Sequence, residues 1–150
     1  MPRSNRSLPV RLGATLLAAG LAMAGCSENE PTAAEAGATL KTHILKLLDE
    51  VSAQNVQVTD PGGKDIPCGD DKAKRTFAAT APDSSPERAP YILNNIMTSA
   101  LDRVADYDIA DSSGAEIRMT NESTKTVILL DSTTKGRYAV RGETQCLSRS

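Results

Sequence analysis

The residues able to do chemistry are few, and their spacing excludes more than it offers. His43 is the single histidine. A general base needs a nucleophile, a metal or a substrate proton within reach, and no sequence spacing supplies His43 with a Ser, Cys or metal partner. It reads as a surface or edge histidine on a helix. A zinc site needs several His or Cys ligands, and the chain does not carry them. Asp106-x-Asp108-x-x-Asp111 has the outline of a calcium loop but departs from the EF-hand pattern. Ala110 stands where a third ligand is expected, Asp111 where glycine makes the turn, and Ile117 where the bidentate Glu belongs. These acids read as a solvated helix end and turn. Asp70 and Asp71, beside Lys72, Lys74 and Arg75, read as a mixed surface patch. They are also where a two-carboxylate hydrolase would begin, if folding brought another acid near. There is no G-x-S-x-G, P-loop, G-x-G-x-x-G or S-x-x-K. Gly62-Gly63-Lys64 lacks the strand–loop–helix context of a phosphate cradle. The expectation is therefore no catalytic constellation, no cofactor and no metal.

The N-terminus is more informative. Arg3, Arg6 and Arg11 precede an apolar run from Leu12 to Met23 that is rich in Leu and Ala, and Ala24, Gly25 and Cys26 follow. This is the charged, then apolar, then small-residue order of a secretory signal. The run is about 12 residues, shorter than the ~20 that span a bilayer as a helix. Leu21-Ala22-Met23-Ala24-Gly25-Cys26 resembles the lipobox of bacterial lipoproteins, with Met23 where Leu is usual. That resemblance implies that residues 1–25 are removed and that Cys26 receives a diacylglyceryl group. Two acyl chains hold a protein at a membrane surface without help from an amphipathic helix. The competing reading is an ordinary signal ending at a coincidental cysteine.

With Cys26 assigned to lipid, Cys68 and Cys146 remain in an oxidising setting where disulfides persist. A Cys68–Cys146 bond is expected, with both sulfurs buried. The alternative, a redox-active thiol pair, lacks a C-x-x-C spacing. All 19 acidic residues lie beyond residue 25, whereas three of the 17 basic ones lie before it, so the remainder is more acidic than the chain's net −2. A negative balance argues against nucleic acid as a partner. Phe77, Tyr91, Tyr107 and Tyr138 are the only aromatic residues of their kind and there is no Trp, so stacking platforms for bases or sugars are scarce.

The elements that would position these residues follow from periodicity. Residues 26–39, beginning at the lipidated cysteine, are small, polar and acidic and read as a flexible tether. Residues 40–150 read as one small domain. Leu40, Ile44, Leu47, Leu48 and Val51 form one helical stripe capped by Thr39. Val56 and Val58 alternate as a short strand before the turn Asp60-Pro61-Gly62-Gly63. Pro67-Cys68-Gly69 reads as a rigid bend, and Arg75 to Ala81 as a strand with Phe77 and Ala79 inward. A second helix begins between Pro86 and Pro90, where proline fits the first turn. Its stripe is Leu93, Ile96, Met97, Ala100, Leu101 and Val104, and it ends near Asp106. Strands follow: Tyr107 with Ile109, then Ala115–Thr120. Lys125–Asp131 is apolar on both faces and so central, and Arg137–Leu147 places Tyr138, Val140, Gly142, Thr144 and Cys146 on one face. The expected architecture is α+β: two helices packed on one face of a mostly antiparallel sheet of about four strands, with one disulfide.

Beyond the signal the chain resembles small actinobacterial lipoproteins of the LppA-like kind. The likeness is carried by the early amphipathic helix, the Pro67-Cys68-Gly69 bend, the second helix with β-hairpins, and the ending Gly142-x-Thr144-x-Cys146-Leu147. It implies little chemistry, since such lipoproteins are mostly of unassigned function. In an export product of this kind the sequon Asn121-Glu122-Ser123 reads as incidental. The leading expectation is a non-enzymatic envelope lipoprotein on the outer face of the cell membrane, binding a protein or small ligand. The alternatives are a carboxylate-dependent cell-envelope hydrolase and a structural or assembly factor of a membrane complex.

Overall fold

A computed structural model describes residues 30–149; the signal-like segment and Cys26 lie outside the described residues. The fold is α+β, with two helices, a six-stranded antiparallel sheet and a smaller three-stranded sheet. Helix α1 spans Ala33–Glu50 and α2 spans Pro90–Leu101. The large sheet contains β1 (Gln57–Asp60), β4 (Thr76–Pro82), β5 (Asp108–Asp111), β6 (Ile117–Asn121), β7 (Thr126–Leu130) and β8 (Arg137–Thr144). Its order is β1-β4-β8-β7-β6-β5. The small sheet is β2 (Ile66–Gly69), β3 (Lys72–Lys74) and β9 (Leu147–Ser148), in the order β2-β3-β9.

Alternation decides which face of the large sheet is covered. Phe77, Ala79 and Ala81 of β4 are buried. They stand opposite Gly142, Val140 and Tyr138 of β8, and β7 continues the same face with Ile128 and Leu130. Both helices close over it. Leu40, Ile44, Leu47 and Leu48 of α1 and Leu93, Met97, Ala100 and Leu101 of α2 form one core with those strand residues. All five residues of β7 are buried, as its run of apolar side chains requires of an interior strand. Gly142 marks where α1 lies closest: a Cβ there would stand 2.6 Å from Leu40 Cδ1 and 2.8 Å from the Val127 carbonyl oxygen.

The expectation of about four strands is corrected to six plus three. The additional strands are short, and exposed along much of their length. β2 buries no residue, so it carries no apolar alternation for a sequence to display, and β3 and β9 are only three and two residues long. Ile109, which alternates with the buried Tyr107, is 58% exposed on the edge strand β5. Edge strands resist further pairing through bulges and charge, and β1 and β5 both have a register shift and an aspartate at or beside it.

Helix α1 starts at Ala33, well before Leu40, so the expected tether is already helical over its second half. The cap is Thr32, not Thr39. The Thr32 hydroxyl accepts from the Glu35 N–H at 3.2 Å, and the Glu35 carboxylate accepts from the Thr32 N–H at 2.9 Å, a capping box. The small residues Ala33 and Ala36 are buried against Ala73 and Leu147 in a second, minor core. Helix α2 ends at Leu101, and a short turn carries Val104 back onto the core before Asp106.

The two sheets are one ribbon interrupted. β3 runs into β4 through Arg75, and β8 runs toward β9 through Gln145 and Cys146; β4 pairs with β8, and β3 with β9. At the break the Thr144 N–H donates to the Arg75 carbonyl at 2.9 Å, and the Thr144 hydroxyl accepts from the Arg75 N–H at 3.0 Å. The Arg75 stem lies close against α1: a Cβ on Gly37 would come within 2.8 Å of Arg75 Cδ.

Candidate functional site

The cysteine pair forms as expected. Cys68 and Cys146 are disulfide-bonded with a Cα–Cα distance of 5.9 Å. Its setting differs from the expectation in two ways. Cys68 lies within strand β2, not in a free bend, and the bond is not in the core: Cys68 is exposed and Cys146 half-buried. The inward face of β8 does follow Tyr138, Val140, Gly142 and Thr144. The strand breaks after Thr144, however, so Cys146 leaves that face and lies in the bend that leads into β9. The bond clips β2, which is fully exposed, to the chain entering β9.

His43 sits half-buried on the edge of α1, where its sequence position put it, but it does have a partner that spacing did not reveal. Its Nδ1 lies 3.0 Å from the Tyr107 hydroxyl. That hydroxyl is 2.7 Å from Thr126 Oγ1, which is 2.8 Å from Thr124 Oγ1. The rings of His43 and Tyr107 meet edge-to-face with centroids 5.7 Å apart. Burial, and then the Lys46 charge, lower the His43 pKa below the ordinary imidazole value. Burial pushes the Tyr107 phenol up. Both shifts disfavour the charged forms, and the chain of hydroxyls ties α1 to the β6–β7 turn.

Asn94 is a buried polar residue of the framework that periodicity alone did not single out. It is buried on α2; its amide donates to the Ala115 carbonyl at 2.8 Å and its carbonyl accepts from the Ser132 N–H at 3.0 Å. The only available signal was an asparagine beside the apolar stripe.

The face of the large sheet turned away from the helices has a groove of about 230 Å³. The outward positions of β4, β8, β7 and β6 build it: Thr76 and Ala78, Arg141 and Glu143, Leu129, and Arg118. Asp60 of β1 closes one side. Leu129 forms an apolar floor and is only 7% exposed although it faces outward. Ion pairs line the groove. Arg141 donates to Asp131 at 3.1 Å through Nε and to Glu116 at 2.5 Å through Nη2. Asp60 accepts from the Thr76 hydroxyl and the Gly62 N–H, which together hold its carboxyl below the usual range. Glu143 lies between Lys74 at 3.6 Å and Arg118 at 3.9 Å. Both separations exceed hydrogen-bonding distance.

Asp70 and Asp71 lie in the exposed turn between β2 and β3. Asp108 and Asp111 are exposed on β5, and Asp111 accepts from the Ser113 N–H at 2.9 Å. Asn121 of the sequon is buried and accepts from Ser123 and from the Thr124 N–H. Among the described residues no three His, Cys, Asp or Glu side chains are grouped to hold a metal ion. No described helix is long and apolar enough to cross a membrane. Compared with protein-family models, with curated proteins and with solved structures, the chain matches none.

Proposed function

We propose that this protein is a lipid-anchored envelope lipoprotein of the LppA-like kind whose domain acts outside the cell membrane as a non-catalytic binding module. One observation carries the reading. The Cys68–Cys146 bond uses two of the three cysteines and leaves Cys26, directly after Ala24-Gly25, for lipid. A disulfide between cysteines 78 residues apart also suits an oxidising compartment. The domain attaches from its N-terminal side, where the capped start of α1 and the minor core hold the segment that follows the anchor. The groove on the uncovered sheet face is the surface best suited to a ligand, because it joins an apolar floor to charges of both signs. The acids of the hydrolase alternative, Asp70 and Asp71, sit on an exposed turn and not in that groove.

The test is native mass spectrometry of the protein gently extracted from its own membranes, beside a Cys26→Ser form. The expected result is a diacylglyceryl mass on the wild type that the variant lacks, a two-hydrogen deficit from the disulfide, and a co-purifying molecule. An unmodified Cys26 in the mature protein would refute the anchor. Turnover of an envelope substrate that is lost with Asp70→Asn or Asp71→Asn would refute the non-catalytic reading.

A further inference from the structure

Within the groove, most charged groups are committed to partners inside the protein. Arg141 is bonded to two carboxylates, and Asp60 to a hydroxyl and a backbone N–H. Arg118 and Glu143 differ. They face each other across β6, β7 and β8 at 3.9 Å, with Lys74 3.6 Å from Glu143 on its other side, and among the described residues neither side chain makes a hydrogen bond. Their side chains are 41% and 33% exposed, so neither is simply a solvated surface charge. Arg141 retains Nη1, which neither Asp131 nor Glu116 engages. A positive donor set and a negative acceptor therefore sit side by side over the apolar floor of Leu129 and Ala78.

We propose that this groove binds a free α-amino acid with an apolar side chain. Its carboxylate would be held by Arg118 and the spare Arg141 donors, and its ammonium by Glu143. The proposal rests on the reading of the domain as a binding module and names its ligand class. The charge pattern selects the class. An α-amino acid carries its ammonium and carboxylate one carbon apart, which suits a cation and an anion already adjacent. A ligand with only one charge would meet one favourable group and one of its own sign. The weak, part-exposed pair between Arg118 and Glu143 is exchanged for shorter charge-assisted hydrogen bonds. Size agrees as well: the groove's 230 Å³ is below the roughly 300–1,000 Å³ of pockets for drug-sized molecules. Leu129 and Ala78 supply the apolar contact for the ligand's side chain.

Equilibrium dialysis of radiolabelled L-leucine against the full protein, extracted from membranes, tests this. Unlabelled 4-methylpentanoate and 3-methylbutylamine, which lack the ammonium and the carboxylate respectively, serve as competitors. Saturable leucine binding is expected, with each competitor at least about tenfold weaker, a difference of about 1.4 kcal/mol. Arg118→Gln and Glu143→Gln should each weaken leucine binding by at least about tenfold while leaving the circular dichroism melt unchanged. Absence of saturable binding at millimolar leucine overturns the proposal, as does binding unaffected by either substitution. A different small molecule retained in the native mass spectrum would overturn this ligand class but uphold the binding-module reading, so the two fail separately.

Discussion

His43 and Tyr107 show how much one neutral contact can set at the scale of a residue. Because burial lowers the imidazole pKa in the folded protein, the unfolded chain takes up the proton first as pH falls. Stability then declines with pH below the ordinary imidazole value near 6.5, until the folded state too is protonated. Urea midpoints measured from pH 7.5 to 5 should fall more steeply for the wild type than for His43→Gln; parallel slopes would show that His43 does not contribute. Tyr107→Phe keeps the ring but removes the hydroxyl between His43 and Thr126. A loss of about 1–3 kcal/mol in the same measurement is expected for two neutral hydrogen bonds, at about 0.5–1.5 kcal/mol each. Gly142 is the other single residue on which packing turns. Gly142→Ala drives a methyl group into Leu40 and the Val127 carbonyl, and overpacking of this kind costs about 1–3 kcal/mol. A melting temperature equal to that of the wild type would show that α1 can lift off β8 freely.

Helix α1 gains its first turns from contacts that no single side chain dominates. Thr32 and Glu35 satisfy each other's backbone donors, and Ala33 and Ala36 let β3 and β9 approach closely. Thr32→Ala should lower stability by about 1 kcal/mol. Amide hydrogen exchange should localise the effect to residues 33–38, leaving the protection of residues 44–48 unchanged. Uniform loss of protection along α1 would mean that the helix behaves as one unit. Helix α2 is fixed differently, by Asn94 joining the loop before β6 to the end of β7. A buried side chain with both its donor and its acceptor engaged sets orientation more firmly than apolar contact does.

At the scale of the whole molecule, the large sheet with its two helices carries the core, and the small sheet is an annex. The annex holds β2, which buries nothing, through pairing with β3 and the bond from Cys68 to Cys146. Cys68→Ser with Cys146→Ser should destabilise the domain by about 2–5 kcal/mol, while circular dichroism at low urea keeps the sheet and helix signal. Collapse of that signal without denaturant would show that the main core depends on the annex. The same division explains the open face: ion pairs between Arg141, Glu116 and Asp131 cover the sheet side that the helices leave uncovered.

Periodicity made the core legible. The stripes of α1 and α2, the inward faces of β4 and β8, and the central place of β7 all follow from alternation or 3.6-residue spacing, because burying one face demands that pattern. The cysteine count paired Cys68 with Cys146 before any coordinate. What lay beyond reach had no periodic signature. The early start of α1 is built of alanines that look like a linker until Ala73 and Leu147 arrive from residues far along the chain. Thr32 and Glu35 form the capping box of a helix whose first turns depend on that distant packing. The exposed strand β2 buries nothing, and strand edges exist only once neighbours are in place. The kink at Arg75 and Gln145, which takes the disulfide out of the core, depends on a hydrogen bond between residues 69 apart. The adjacency of Arg118, Arg141 and Glu143 comes from three strands in register. Local propensity set the elements; only the tertiary structure set which outward-facing charges meet, because register across a sheet is a property of partners and not of any one strand.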